Sequence, residues 1–243
     1  MFFVDCEVIA MIKAVVFDLD DTLYDEADYC RSGLRAVSEY LAQRPDMPAE
    51  DAFFRAFMQE FEQGDRTRIF NNALDKLGVE YDSGLISELI RLYREHEPDI
   101  TLPEQSREIL ENLQKKYTLA MLTDGFLPAQ KLKVRALGIE HFFRMIVYTE
   151  QLGREFWKPS PVGFRKLLEV LRVAPEAMVY VGDNRIKDFI GPKQLGIATV
   201  ELLRDNAVHR CESDDASLAA DYQITSLGQL PGVLEVVQGQ LSG

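Results

Sequence analysis

The sequence predicts an α/β protein: a parallel sheet with helices on both faces, interrupted by an inserted helical module. Two observations carry this prediction. Short apolar strands alternate with helical segments over most of the 243 residues, which is typical of a parallel sheet covered on both sides. Between residues 25 and 97 this alternation stops, and helical segments follow one another without a convincing strand. We therefore expect one domain built from residues 1–24 and 98–243, with residues 25–97 as an all-helical insertion.

The inserted module is predicted to contain four helices. Residues that interrupt helical periodicity separate them, namely Pro45, Gly64, Gly78 and Pro98. The helices are expected over residues 26–43, 48–62, 67–77 and 83–96. The second of them carries phenylalanines at helical spacing, at positions 53, 54, 57 and 61. An apolar stripe of this kind predicts core packing rather than a ligand site.

The remaining segments supply the sheet and the helices that cover it. Strands are expected over residues 14–18, 118–122, 145–148, 178–181, 197–200 and 221–225. Helices are expected over residues 103–116, 128–137, 160–172, 186–195 and 227–237. Gly191-Pro192 lies within the fourth of these helices and is expected to shorten or kink it. Residues 204–218 are polar and uneven, which predicts a loop.

Composition limits the classes of partner. The chain carries 27 lysines and arginines against 40 aspartates and glutamates, a formal net charge of -13. Such a surface repels nucleic acid and anionic membranes, although a local basic pocket can still bind a small anion. No apolar stretch approaches the ~20 residues of a membrane span. Residues 1–10 are apolar but lack a basic start, so they resemble a short extension, or an artefact of the chosen start codon, more than a signal peptide. The expected location is the cytoplasm.

The cysteines and histidines form no recognisable metal or disulfide pattern. The three cysteines are widely spaced and lack CxxC pairing, so reduced thiols in a reducing compartment are the simplest account. The three histidines show no spacing typical of metal ligands. These residues are Cys6, Cys30, Cys211, His96, His141 and His209.

The first strand ends abruptly in a cluster of acids. Val15 and Val16 are typical of a buried strand, and Asp18, Asp20 and Asp21 follow within a few residues. Ligands of α/β proteins bind where parallel strands end. Adjacent carboxylates repel one another unless a cation or hydrogen-bond donors hold them. This segment therefore predicts a divalent-metal site.

Three more polar groups follow later elements of the predicted sheet. Thr123-Asp124-Gly125 comes directly after one strand, where successive backbone N–H groups can form a small anion-binding concavity. Gly182-Asp183-Asn184 follows another strand, with Asp188 a few residues further on. Lys158-Pro159 lies between them, just before a helix. Each is a weak signal alone, but their order at consecutive strand ends indicates one site.

At this point the sequence resembles the haloacid dehalogenase-like hydrolase superfamily. The resemblance rests on four motifs and spans nearly the whole chain: Asp18-Leu19-Asp20-Asp21-Thr22, Thr123, Lys158-Pro159, and Gly182-Asp183 through Asp188. It implies a Rossmann-like, doubly wound core with a helical cap inserted after the first motif. Residues 25–97 have the size and place of that cap.

The resemblance also implies a Mg²⁺ site and an active phosphatase centre. Asp18 and Asp183 would hold the metal with their carboxylates and Asp20 with its backbone carbonyl, while Asp188 would support the cluster or ligate directly. Ligation by oxygen alone suits this hard cation. Asp18 would be the nucleophile that forms an aspartyl-phosphate. Asp20 would protonate the leaving group and then activate water.

The remaining motif residues are expected to bind the phosphoryl group. Thr123 would donate a hydrogen bond to a transferring oxygen, and Lys158 would offset charge on the phosphoryl group and on the nucleophile. Asp124 and Gly125 complete the expected substrate-binding set. Many relatives have Asn at the position of Asp124. A carboxylate there must point away from the phosphate, contact the metal or bind a substrate hydroxyl.

The resemblance predicts a Mg²⁺-dependent phosphatase acting on a small phosphorylated metabolite, of nucleoside monophosphate or sugar phosphate type. A phosphomutase or phosphotransferase on the same core is the nearest alternative, and a non-catalytic regulatory member is a further one. Asp20 disfavours a dehalogenase, because a departing halide needs no proton. Phosphonatases use a cap lysine, and Lys76 is the one lysine within residues 25–97. We expect it to be a surface residue.

Substrate choice is expected to reside in the cap. Its arginines are candidates for gripping an anionic leaving group, although solvated arginines are the ordinary expectation on such a surface. The arginines singled out here are Arg31, Arg35, Arg66 and Arg68. Trp157 is a candidate for the mouth of the pocket, with ordinary packing as the alternative. The sequence leaves the oligomeric state open.

Overall fold

A computed structural model describes residues 11–204, 207–208 and 215–241. The expectations for residues 1–10, for Cys6 and Cys211, for His209 and for part of the loop 204–218 therefore lie outside the described residues. Among the described residues, no helix is long and apolar enough to cross a membrane.

All six predicted strands are present, and they form one parallel sheet. Their bounds are β1 Ala14–Phe17, β2 Thr118–Thr123, β3 Met145–Tyr148, β4 Met178–Gly182, β5 Ala198–Leu202 and β6 Tyr222–Ile224. The central strands are buried on both faces, and this explains their continuous apolar sequences. The predicted fold class is confirmed.

Ten α-helices occur in the described residues. They are α1 Glu26–Ala42, α2 Glu50–Gln63, α3 Ile69–Leu77, α4 Ser83–Glu95, α5 Glu104–Leu113, α6 Ala129–Leu137, α7 Val162–Leu171, α8 Arg185–Asp188, α9 Ile190–Lys193 and α10 Leu230–Leu241. The single helix predicted over residues 186–195 is wrong, because the chain forms two short helices that break at Phe189. Pro192 falls in the first turn of α9, where its missing N–H costs no helical hydrogen bond.

The order of the strands determines where a ligand can bind. The sheet runs β3-β2-β1-β4-β5-β6, so the chain proceeds outward in one direction from β1 and in the other from β4. β1 and β4 are hydrogen-bonded neighbours in register, with Phe17 opposite Val181. The crossover connections of the two halves diverge at this point and leave a crevice at the carboxyl ends of the two strands. The acids that follow β1 and β4 are therefore brought together.

The core beneath this edge is apolar and closely packed. Alternate residues of the central strands share one face, as Ala14 and Val16 do in β1. Phe164 of α7 and Phe189 cover that face and are fully buried. Each such side chain contributes about 1.5–3 kcal/mol of hydrophobic stabilisation. The strand ends that carry the acids are thus fixed by a rigid support.

The chain folds into two compact units. The first contains the sheet and comprises the residues up to Asp25, Leu102–Gly125 and the residues from Gly138 onward. The second comprises Glu26–Thr101 and Phe126–Leu137 and is helical. It therefore includes α6, which the sequence pattern assigns to the β/α alternation.

The helical unit has its own aromatic core. Phe53, Phe57 and Phe61 of α2 are buried, and Phe57 meets the ring of Phe70 edge-on, with 5.2 Å between ring centroids. Phe54 does not belong to this core, contrary to the stripe prediction. It is half-buried, and its ring lies under the guanidinium of Arg35.

Candidate active site

The nucleophile candidate Asp18 lies at the carboxyl end of β1, beside the end of β4. Its backbone N–H donates to the carbonyl oxygen of Val181 at 2.9 Å, so the β1–β4 pairing extends to the acid itself. Asp18, Asp183 and Asp188 each place one carboxylate oxygen within 4.8 Å of the other two. The structure thus brings together the three side chains that were predicted to hold or support the metal. The side chain of Asp20 has a different environment.

Asp188 is held in place from two sides. Its Oδ2 accepts hydrogen bonds from the backbone N–H groups of Asp183 at 3.2 Å and Asn184 at 2.9 Å. A Cβ at Gly182 would lie 2.6 Å from the same oxygen, so only glycine fits beside this carboxylate. Asp188 is therefore an anchor for the loop that carries Asp183.

Lys158 is a fully buried cation between two acids. Its Nζ lies 3.0 Å from Asp18 Oδ1 and 2.7 Å from Asp188 Oδ1, and none of its side chain is exposed. It also donates to the hydroxyl of Tyr180 at 3.1 Å, which in turn donates to Asp188 at 3.1 Å. An ammonium group has three N–H donors, so there is one polar neighbour for each donor of Lys158.

Burial and charge act against each other in this cluster. Burial raises the pKa of Asp18 to about 6, with Lys158 opposing the shift and Asp188 adding to it. Burial, together with the charges of Asp188 and Asp18, raises the pKa of Asp183 well above its ordinary value. Burial alone would lower the pKa of Lys158, yet the carboxylates of Asp18 and Asp188 outweigh it and raise that pKa. The surroundings of Asp18 and Asp183 therefore disfavour the charged form of each carboxyl group.

Both Asp18 oxygens are suited to a further cation. Each is buried and accepts no hydrogen bond of good geometry from any described residue, although Lys158 lies within ion-pair distance. A buried carboxylate in this state is costly unless a positive charge meets it. The donor set consists entirely of oxygen, which hard divalent cations prefer. The residues present thus fit a divalent cation.

Asp20 and Asp21 differ in environment although they are adjacent. Asp20 Oδ1 accepts a hydrogen bond from the hydroxyl of Tyr24 at 2.6 Å. Asp21 is buried, has a φ of 52°, and its Oδ2 accepts from the backbone N–H of Val208 at 2.6 Å. Thr22 donates to Asp183 Oδ1 at 3.1 Å. Asp21 therefore connects the segment around Val208 to the first motif. The Asp20 carboxylate is instead hydrogen-bonded by the Tyr24 hydroxyl.

The second motif lies at the end of β2. Thr123 is buried there, and Gly125 has a φ of 137°, a conformation that L side chains rarely adopt. Asp124 Oδ1 accepts from the hydroxyl of Thr149 at 2.7 Å and from the backbone N–H of Lys158 at 3.2 Å. Both partners are protein groups, so Asp124 fixes its neighbours, a role that was not among the three expectations.

This geometry predicts that Asp124 positions the Lys158 main chain. We expect Asp124→Ala to lower kcat roughly 10- to 100-fold, because a small displacement of the lysine misaligns the site. Asp124→Asn retains an oxygen that can accept both hydrogen bonds, so its kcat is expected to stay within about threefold of the wild type. Steady-state kinetics on both variants, with thermal unfolding as a folding control, check this. Equal losses in two folded variants would contradict it.

Three residues near the acids were not identified from the sequence. Tyr24 contacts Asp20, Tyr180 bridges Lys158 and Asp188, and Lys187 Nζ lies 3.9 Å from Asp18 Oδ2. Tyr180 occupies an apolar strand and carries no polar signal in the sequence. Lys187 had a signal, since it directly precedes the last acid of the fourth motif.

The four candidate arginines and Lys76 lie in the helical unit, and most of them already have partners there. Arg31 pairs with Asp28, and Arg35 pairs with Glu50, each at 2.8 Å. Arg66 donates to the carbonyl oxygen of Phe61 at 2.8 Å, whereas Arg68 is exposed and has no ion pair among the described residues. Lys76 is half-exposed and pairs with the buried Glu60. The hydrogen bonds from Lys76 and Asn72 lower the pKa of Glu60.

Comparisons with known proteins agree with the motif analysis. The family described as haloacid dehalogenase-like hydrolase matches residues 12–196. The glyceraldehyde 3-phosphate phosphatase of Methanopyrus kandleri is 30% identical over 204 residues, which cover 80% of this chain and 85% of the relative. The phosphoglycolate phosphatase of Neisseria meningitidis is 30% identical over 240 residues, which cover 94% of this chain and 95% of the relative.

Solved structures share the fold along almost their whole length. A 2-haloacid dehalogenase from Pseudomonas syringae superposes with a TM-score of 0.63 at 28% identity, covering 93% of this chain and 99% of the other. A HAD-hydrolase from Bacillus subtilis, crystallised bound to magnesium, has a TM-score of 0.69 at 23% identity, covering 92% and 99%.

Proposed function

The chain belongs to the haloacid dehalogenase-like hydrolase family, and from this membership we propose that it is a Mg²⁺-dependent phosphatase of a small phosphorylated metabolite. The observation that carries the proposal is the buried carboxylate of Asp18. It lies 3.0 Å from the Lys158 ammonium, within 4.8 Å of the oxygens of Asp183 and Asp188, and accepts no hydrogen bond of good geometry from the described residues. Such a carboxylate is available as a nucleophile.

The metal would be held by Asp18 and Asp183, with the backbone carbonyl of Asp20 and with Asp188 in support. When bound, Mg²⁺ supplies positive charge that offsets the repulsion between the attacking carboxylate and the phosphoryl group. The raised pKa values of Asp18 and Asp183 are consistent with acids that need such a charge. The Mg²⁺-bound relative from Bacillus subtilis shares the fold.

The chain's own residues would carry the two steps. An Asp18 oxygen attacks phosphorus, the bond from phosphorus to the leaving oxygen breaks, and Asp20 gives that oxygen a proton. Asp20 then takes a proton from water, which attacks phosphorus and releases inorganic phosphate from Asp18. The hydroxyl of Tyr24 holds the Asp20 carboxylate for this exchange. Lys158 and Thr123 would stabilise the developing charge.

The substrate class follows from the relatives rather than from the motifs. The curated relatives are phosphatases of glyceraldehyde 3-phosphate, of phosphoglycolate and, in human, of N-acylneuraminate 9-phosphate at 24% identity. Their names describe phosphomonoesters of small carbohydrate-like acids or aldehydes. We propose a substrate of this class, and the helical unit as the cap that selects it. The nucleoside monophosphates remain a less supported prediction.

The alternative reactions are separable. One structural neighbour of this chain, at 28% identity, is a dehalogenase. Asp20, however, would supply a proton that a departing halide does not need. A mutase or phosphotransferase would use the same core and pass the phosphoryl group to another hydroxyl. No specific contact in the described residues favours either of them over hydrolysis.

The test is phosphate release from a panel of phosphomonoesters with Mg²⁺ or with EDTA. The panel contains p-nitrophenyl phosphate, glyceraldehyde 3-phosphate, phosphoglycolate, hexose phosphates and nucleoside monophosphates, with a 2-haloacid as the control for halide release. We expect Mg²⁺-dependent release of phosphate and no halide. Isomerised sugar phosphate with little free phosphate would indicate a mutase, and no release from any ester would refute the phosphatase proposal.

A further inference from the structure

The lysine that pairs with the buried acids is itself enclosed and already engaged by protein groups. Lys158 is enclosed, with none of its side chain exposed, and its ammonium already contacts Asp18, Asp188 and Tyr180. By the proposed function, three carboxylates, this ammonium and one divalent cation balance one another in charge. A phosphate dianion entering the site then adds negative charge that none of these groups offsets.

Lys187 is a second cation at the same site. Its Nζ lies 3.9 Å from Asp18 Oδ2, the opposite oxygen from the one that Lys158 approaches. Its side chain is 27% exposed, and its ammonium donates no hydrogen bond to any residue within the described part of the chain. Lys187 therefore combines access from solvent with free donors, which Lys158 lacks.

Lys187 lies on a short helix that is capped at its start. The Lys187 side chain extends from α8. Asn184 caps the first turn of this helix by accepting a hydrogen bond from the N–H of Ile186 at 3.1 Å. Lys187 is thus a charged group on an ordered segment.

We infer that Lys187 is a further catalytic residue, whose ammonium binds the oxygens of the transferring phosphoryl group directly. This inference rests on the proposed phosphatase function and assigns to Lys187 a phosphoryl contact in addition to those that the family resemblance assigns to Thr123 and Lys158. Lys158 remains paired with the carboxylates of Asp18 and Asp188. Ammonium donors to phosphate oxygens form charge-assisted hydrogen bonds, which are roughly twice as strong as neutral ones.

Calorimetric titration of inorganic phosphate into the Mg²⁺-saturated protein tests the inference. Lys187→Gln is expected to raise the Kd of phosphate about 10- to 100-fold. Lys187→Arg keeps the charge and is expected to retain most of the affinity. Lys166→Gln removes the same charge from an exposed position on α7 and is expected to bind phosphate as the wild type does. Mg²⁺ titrated alone is expected to bind Lys187→Gln at least as tightly as the wild type, because the substitution removes a positive charge that repels the cation.

The outcomes separate this inference from the proposed function. Wild-type affinity for phosphate in folded Lys187→Gln, equal losses in the Gln and Arg variants, or a parallel loss of Mg²⁺ affinity would each overturn the role of Lys187. In all three cases the wild type would still release phosphate from its ester. A wild type that neither binds phosphate nor hydrolyses any ester would instead refute the phosphatase proposal itself.

Discussion

Asp18→Asn is expected to reduce kcat by at least about 10³-fold, because the amide cannot attack phosphorus and no aspartyl-phosphate forms. The variant is expected to fold, since the position lies at the end of β1 and retains the backbone hydrogen bond to Val181. Single-turnover and steady-state hydrolysis of the best ester in the panel measure the loss.

Asp21, a nearby acid of the same motif, provides a matched control. Asp21→Asn makes the same chemical change at the third residue after Asp18, but Asp21 has no assigned catalytic role. Its side-chain oxygen accepts the N–H of Val208, which an asparagine oxygen can also do, and asparagine tolerates the φ of 52°. We expect its kcat to stay within about tenfold of the wild type. If the two variants lost activity equally, Asp18 would not be the nucleophile.

Lys158→Met is expected to give the largest loss of stability. The substitution leaves Asp18 and Asp188 buried without their ammonium partner, and breaking a buried ion pair from one side costs about 3–5 kcal/mol. Urea unfolding at pH 7 without Mg²⁺ measures this free energy. Lys166→Met, at an exposed position of α7, is the control and is expected to change stability by less than about 0.5 kcal/mol.

The stability of Lys158→Met is expected to depend on pH and to change when Asp188 is also replaced. Without Lys158 the two carboxyl groups have pKa values above those of the unfolded chain, so the folded state gains protons and recovers stability as the pH falls from 7 towards 5. Adding Asp188→Asn removes one unpaired charge and is expected to recover more than about 1 kcal/mol. Additive losses, or a stability gap that widens at low pH, would contradict the ion-pair account.

The sheet could be predicted because its signals are local. Each strand is a short apolar run bounded by turn residues, and burial on both faces leaves little ambiguity in such a run. The proximity of Asp18 and Asp183 was predictable for the same reason, since they directly follow β1 and β4. The break at Phe189 was only partly visible: Gly191-Pro192 indicated a disturbed helix, but not where the first turn would end.

Other features depend on contacts between distant residues. Nothing in the pattern of α6 indicates that it packs with the helical unit rather than with the sheet. Tyr180 looks like one more apolar strand residue until its hydroxyl meets Lys158 and Asp188. The hydrogen bonds of Asp124 with Thr149 and with the Lys158 backbone likewise join the end of β2 to a segment 25 to 34 residues later in the sequence.

The most direct test of the central claim is to locate the phosphoryl group on the protein during turnover. The Mg²⁺-loaded enzyme is mixed with its best ester, quenched in acid before steady state, and digested for peptide mass spectrometry. We predict one added phosphoryl group on Asp18, present with Mg²⁺ and absent with EDTA. A phosphoryl group on another residue, such as Asp20 or Thr123, would contradict Asp18 as the nucleophile and with it the proposed mechanism.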